Sequence, residues 1–158
     1  MSNPSDVPFE TTHLVRDTCL CLHAQRAARA LSRLFDDALR PVGLTSGQFS
    51  LLNALNRPTP PSIAPVAQLL AMDRTTLTAA LKPLERDGLV AIARDPGDRR
   101  NRLLRLTDKG RETLATAIPI WRDLHGAIEA GVAGLEPDNL RGALNSLSKP
   151  ASSRASRV

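Results

Sequence analysis

No apolar run in this chain of 158 residues approaches the length of a membrane-spanning helix, which needs roughly 20 such residues. The first dozen residues, Met1 to Thr12, hold no basic cluster followed by an apolar stretch. They do not read as a secretory signal, and a cytoplasmic protein is the expectation. A Gly-rich phosphate loop, a nucleophile elbow and a paired acid–base constellation are all missing, and three scattered histidines make no triad. Neither an enzyme nor a bound cofactor is expected.

Cysteine is scarce as well, and tyrosine is absent. Cys19 and Cys21 stand two apart with no companion pair. On one continuous helix such residues point away from each other, which makes a disulfide between them sterically poor. They read as reduced intracellular thiols. Cys19 and His23 are four apart and can share a metal, with His13 further up, but only His125 remains elsewhere. Soft-metal sites need three or four converging ligands, so no metal site is expected.

The apolar fraction of 42% and charged fraction of 23% are ordinary for a soluble globular domain. A chain of this length can bury a core without a staple. The net charge is +5, and residues 62–111, with ten basic and six acidic side chains, supply +4 of it. Localised basic excess favours a polyanionic partner. The alternative is a solvated basic face.

Residues 1–11 read as a loose arm. From Thr12 to about Leu39, Leu20, Ala24, Ala27, Leu31, Leu34 and Ala38 recur at helical steps and form one apolar stripe, which Pro41 and Gly43 end. So long a stripe wants a partner helix. Thr45 and Gln48 form a capping-box pattern for a helix ending near Arg57, and Pro58 to Pro61 make a stiff connector. Two short helices follow over 62–70 and 74–87, then strands over 89–94 and 102–106. Thr107 and Asp108 cap a long helix to about Val132 that Pro119 should kink. Glu136 to Asp138 start a last helix with Leu140, Leu144 and Leu147 on one face. Residues 150–158 read as a disordered tail.

The stretch IAPVAQLLAMDRTTLTAALKPLERDG, Ile63 to Gly88, fits two helices crossing over a short turn. Val66, Leu70, Met72, Leu77 and Ala80 fill the crossing, and Ala67 is small where the helices come closest. Asp73 caps the second helix. Arg74, Thr75, Thr76, Thr78, Ala79 and Lys82 are left outward, and short hydroxyls among basic side chains suit base edges and phosphates in a major groove. A structural helical hairpin is the alternative. Pro83 should cost a hydrogen bond to Ala79 and bend the helix end.

Between the two strands lies DPGDRRN, Asp95 to Asn101, a turn-forming cluster with Arg99 and Arg100 at its tip and Arg102 opening the next strand. Guanidiniums on a projecting hairpin can enter a narrow minor groove. Asp98 is placed to hold an arginine rotamer. A charged edge that blocks aggregation is the alternative, but it does not explain a hairpin directly after a helix-turn-helix.

With GLTSGQFSLLNAL upstream, VAQLLAMDRTTLTAALKPLERDGLV and the wing DPGDRRNRLLRLTDKG, the chain resembles the MarR family of bacterial transcription regulators over about residues 12–148. Its most specific piece is Asp98, Arg100, Leu106, Thr107 and Gly110. The resemblance implies a mainly α winged helix-turn-helix with a small β-hairpin wing. Residues 45–106 would form the DNA-binding lobe, and 12–40 with 107–149 the dimerisation helices of a single domain. It implies a homodimer on double-stranded DNA with a near-palindromic operator, commonly a repressor released by a small aromatic or phenolic acid. Residues Arg74 to Lys82 would lie in the major groove, and Arg100 in the minor groove braced by Asp98.

Asp17, Cys21, Gln25 and Phe35 share a helical face that can line an effector cleft. Cys21 also matches the reactive thiol of the hydroperoxide-sensing branch of that family, which makes a redox-sensing repressor an alternative. Gln25 and Phe35 stand where that branch keeps its thiolate-binding tyrosines, and helical spacing aims neither Arg26 nor His23 at Cys21. A winged-helix protein-contact module without DNA binding is the remaining alternative.

Overall fold

The computed structural model describes residues 6–148. Seven α-helices and one hairpin follow in order: α1 Phe9–Thr18, α2 Leu20–Leu39, α3 Ser46–Leu55, α4 Ile63–Leu69, α5 Arg74–Arg86, β1 Val90–Arg94, β2 Arg102–Leu106, α6 Asp108–Gly131 and α7 Pro137–Ser148. Among these residues no helix is long and apolar enough to cross a membrane. The segment expected as a disordered tail lies outside the described residues.

The first expected helix differs in two respects. It starts at Phe9, inside the segment read as an arm, and it is divided at Cys19. The Thr18 hydroxyl donates back to the Leu14 carbonyl at 2.7 Å, and Cys19 is extended at φ −71° and ψ 105°. The Cys19 sulfur then caps α2, accepting the Leu22 N–H at 3.5 Å. A side chain offering the backbone a local acceptor can end one helix and start another without proline or glycine. Cys19 is therefore not helical, so the spacing argument against a disulfide does not describe this backbone. Both thiols are free here.

Downstream, local chemistry sets the boundaries. The capping box at Thr45 and Gln48 is present in both directions. Three helix ends close with the same paired hydrogen bonds. Gly43, Ala71 and Gly88 each take positive φ, at 72°, 52° and 74°. In each case the residue's N–H and the next N–H return to carbonyls three and five positions back. This is the Schellman closure, whose left-handed position favours glycine. Ala71 occupies it in the turn between α4 and α5.

β1 and β2 pair antiparallel, with Val90 opposite Leu106 and Arg94 opposite Arg102. The proline connector runs alongside: Leu104 N–H donates to the Pro61 carbonyl at 2.9 Å, and Ser62 bridges Leu103. The core sits in this lobe, where Leu51, Leu52, Val66, Leu77, Leu81, Leu84 and Leu104 are fully enclosed. It reaches the end of α2 through Leu39 and the first half of α6 through Leu114 and Ala117. Neither α1 nor α7 buries a residue. α6 runs through Pro119, and α5 runs through Pro83, without interruption.

Candidate nucleic-acid interface

Leu77, Leu81 and Leu84 recur along α5 and are buried, which fixes the opposite face outward. That face carries Arg74, Thr75, Thr78, Ala79 and Lys82 around one shallow concavity. The crossing is filled as the pattern implies: Val66, Ala67 and Leu77 are buried, and Leu70, Met72 and Ala80 pack against them. Asp73 starts the helix by accepting the Thr76 N–H at 2.8 Å and the Thr76 hydroxyl at 2.6 Å. These two bonds, the hydroxyl first, hold the Asp73 carboxyl below its ordinary range.

The threonines are thereby sorted. Thr76 spends its proton on the cap and lies beside the outward concavity. Thr78 donates to the Arg74 carbonyl at 2.7 Å. Thr75 alone of the three has no hydrogen-bonded partner for its hydroxyl among the described residues.

The wing is held by its own carboxylates. Asp95 accepts the Gly97 N–H at 2.8 Å, and the Asn101 N–H donates to the Asp98 carbonyl at 2.9 Å. Asp98 braces the tip, but through the backbone: its carboxylate accepts the Arg100 N–H and the Asn101 side-chain amide, each at 3.0 Å. The expectation that it grips an arginine rotamer is corrected accordingly. An acid two residues before an N–H is in position for an Asx-type turn, and that bond wins here. The Arg99 and Arg100 side chains stay exposed.

α5 and the wing meet. Arg74 and Thr78 from the helix, Arg100, Asn101 and Arg102 from the hairpin, and Ile63 and Ala64 from α4 line a cleft of about 190 Å³. Three cations of the segment predicted to be basic, Arg74, Arg100 and Arg102, thus share one cleft.

The four residues proposed for an effector cleft are not brought together. Cys21 and Gln25 meet, the amide donating to the sulfur at 3.3 Å. Asp17 lies on α1, before the break, paired with Arg16 at 2.6 Å. Phe35 faces α6 and α7, in a separate apolar recess of about 170 Å³ that includes His125, Leu140 and Leu144. Among the described residues, no group of three or more His, Cys, Asp or Glu is placed to hold a metal ion.

A larger cavity, of about 370 Å³, opens between α3, α4 and α6. Phe49, Ala54, Leu69, Leu70, Ile118 and Trp121 line it, with Ser50 and Asn53 as polar groups. Phe49 stacks on Trp121 at 6.2 Å, and Trp121 on His125 at 4.7 Å. Sequence reasoning missed this site. Its one signal was the sole tryptophan, and that gains meaning only once α6 is known to pack on α3.

A tight two-helix crossing, a capped outward helix and an arginine-tipped hairpin define a winged helix-turn-helix protein. The sequence profile of the MarR family matches residues 42–101. The transcriptional repressor NicR of Pseudomonas putida is 31% identical over 134 residues, which cover 82% of this chain and 79% of NicR. The transcriptional activatory protein BadR of Rhodopseudomonas palustris is 38% identical over 89 residues, 54% of this chain and 51% of BadR, so the match spans about half of that relative. Among solved structures, the M. tuberculosis regulator MosR in complex with DNA superposes with a TM-score of 0.77 at 35% identity, covering 89% of this chain and 99% of MosR. Bordetella bronchiseptica BpsR, whose DNA binding is regulated by 6-hydroxynicotinic acid, gives 0.74 at 25% identity, covering 84% and 95%. The chain belongs to the MarR family of transcriptional regulators. That family and these relatives are regulators and not enzymes.

Proposed function

We propose that this protein is a homodimeric, sequence-specific DNA-binding regulator that sits on a near-palindromic operator and is released by a small aromatic or phenolic ligand. Unpaired cations on the α5–wing surface carry this reading. Arg16, Arg40, Arg86, Arg111 and Arg141 are each bonded to a carboxylate, whereas Arg26, Arg29, Arg33, Arg57 and Arg122 on other faces are not. Arg74, Lys82, Arg99, Arg100 and Arg102 likewise have no carboxylate partner among the described residues. What marks the α5–wing surface is that two elements bring such cations together beside exposed hydroxyls. A face that gathers unpaired cations around exposed hydroxyls and a hairpin tip is matched to duplex DNA.

Apolar surface at the two ends of the chain supports the dimer. Phe9 is 69% exposed, Leu20 68%, Leu34 49% and Leu144 48%. Side chains of this size left open along α1, α2 and α7 fit a core-like interface between two copies. The cavity between α3, α4 and α6 supports the effector, because its apolar walls, stacked aromatics and two polar groups suit a small aromatic acid. It joins the winged lobe to α6, where a bound molecule can change the spacing of the two lobes. We favour repression, the mode of NicR, which this chain matches over most of its length.

The test is a titration of the protein on a mixed-sequence duplex at several salt concentrations. Affinity should fall steeply, with a log–log slope set by the phosphates contacted, roughly −0.9 for each. Absence of binding at about 50 mM salt would remove the DNA reading and leave a protein-contact module.

A further inference from the structure

We propose that the cleft between α5 and the wing is a phosphate-binding notch that holds one phosphodiester of the DNA backbone in each half-site, chiefly through Arg74 and Arg102. The proposal rests on the DNA reading above and deepens it. Arg74 begins α5, whereas Arg100 and Arg102 come from the end of the hairpin, yet all three line the same 190 Å³ cleft. None of the three guanidiniums has a carboxylate partner among the described residues. Asp98 stands beside the cleft, but its carboxylate is taken by the Arg100 N–H and the Asn101 amide, and Glu85 lines the neighbouring groove. Like charges gathered this way repel until an anion enters. Thr78 and Asn101 already donate to the Arg74 carbonyl and the Asp98 carboxylate, so the guanidiniums supply the attraction. Their planar forks match phosphate oxygens.

Position explains why the anion is a backbone phosphate. A protein with a helix in the major groove and a hairpin in the adjacent minor groove must straddle the strand that separates them. The cleft lies at that crossing. Arg102 faces it because alternation along β2 puts residue 102 on the side of Leu104 and Leu106, both buried. Arg105 falls on the other side of the strand and is the internal control.

The experiment scans a bound duplex with single neutral methylphosphonates, one position at a time, against the unaltered protein, R74Q, R102Q and R105Q. One position per half-site should weaken the unaltered protein and R105Q by about tenfold, and R74Q and R102Q by less than about threefold, because the lost contact is already gone. Additive losses at every position would overturn the proposal. A second arm titrates inorganic pyrophosphate onto DNA-free protein and follows the arginine Nε–H resonances. Selective movement of Arg74 and Arg102 is expected, and uniform movement of all arginines would sink the notch even if DNA binding itself failed. Selective movement without coupling to any DNA phosphate would assign the cleft to a free phosphorylated ligand and reject the backbone contact.

Discussion

A Cβ placed on Gly110 would overlap the carbonyl oxygen of Leu89 and lie 3.0 Å from its carbonyl carbon. The first turn of α6 reaches the winged lobe only because residue 110 has no side chain. The same carbonyl accepts the Thr107 N–H at 3.1 Å. The Thr107 hydroxyl donates to the Gly88 carbonyl at 2.7 Å and accepts the Gly110 N–H at 3.0 Å. Leu106, Thr107 and Gly110 thus form a joint that docks α6 onto the end of α5, which accounts physically for that motif. Gly110→Ala should therefore force backbone displacement and destabilise the fold by about 3 kcal/mol. Urea unfolding measures this, and an unchanged midpoint would mean that α6 docks differently.

Ala71 predicts a change of opposite sign. At φ 52° it holds the left-handed position of a Schellman closure, which costs an L-residue roughly 1–2 kcal/mol. Glycine avoids that strain but gives up about 0.5–1 kcal/mol in the unfolded chain. Ala71→Gly should raise stability by up to about 1 kcal/mol, read as a higher urea midpoint at constant slope. Ala71→Val should lower it.

The winged lobe was legible because its signals are local. Thr45, Asp73 and Thr107 cap helices, Asp95 and Asp98 turn the wing, and strand alternation follows directly from residue type. The break at Cys19 was hidden because no proline or glycine stands there and a thiol cap leaves no compositional mark, although the apolar stripe itself begins only at Leu20. The α3–α4–α6 cavity was hidden for another reason: its walls lie some 70 residues apart, Phe49 to Trp121, and periodicity within one helix says nothing about which helix it meets. The break takes Asp17 away from Cys21, Gln25 and Phe35, which stay on α2. Phe35 is parted from the other two by its distance along that helix and by the α6 and α7 residues it packs beside.

Acid sensitivity follows from two aspartates. The Asp36 carboxyl is held below its ordinary range by the Ser46 backbone N–H and then its hydroxyl, and Asp73 by Thr76. A depressed folded-state pKa contributes stability that is complete above the unfolded value, about 3.9, and is lost as pH falls through the folded value. The melting temperature should drop below about pH 4. Asp73→Asn should start lower at neutral pH and lose less on acidification. Parallel curves for the two proteins would separate this cap from the acid response.

Trp121 is the only tryptophan and lines the cavity of about 370 Å³ proposed above for the effector, so binding there should change its fluorescence. Aromatic acids such as 6-hydroxynicotinic acid, added to the protein, should quench its fluorescence saturably and raise the melting temperature. Phe49→Ala should weaken that binding about tenfold, near 1.4 kcal/mol, by removing one face of the stack. Quenching with equal affinity in both proteins would place the ligand elsewhere.

Arg100 and Thr75 separate the two elements proposed to contact DNA. Arg100 is exposed at the wing, its N–H fixed by Asp98 while the guanidinium stays unpaired. In a minor groove such a group senses mainly width and charge. Thr75 is exposed on α5 with its hydroxyl uncommitted, as a reader of major-groove base edges must be. Thr76 spends its hydroxyl on the cap and should act through stability instead. Arg100→Ala is expected to weaken binding to every duplex and flatten the log–log salt slope by about one phosphate equivalent. Thr75→Ala should leave that slope unchanged and cost about 1 kcal/mol at one or two base pairs per half-site, with half-sites centred about one helical turn apart. Selection of binding sites from a random duplex pool, followed by salt titration of each variant, measures both effects. If Arg100→Ala changes neither affinity nor slope, the wing does not touch DNA and binding is by the helix alone. If Thr75→Ala leaves the selected sequence unchanged, the base-reading hydroxyl must come from Thr78, after release of its bond to the Arg74 carbonyl.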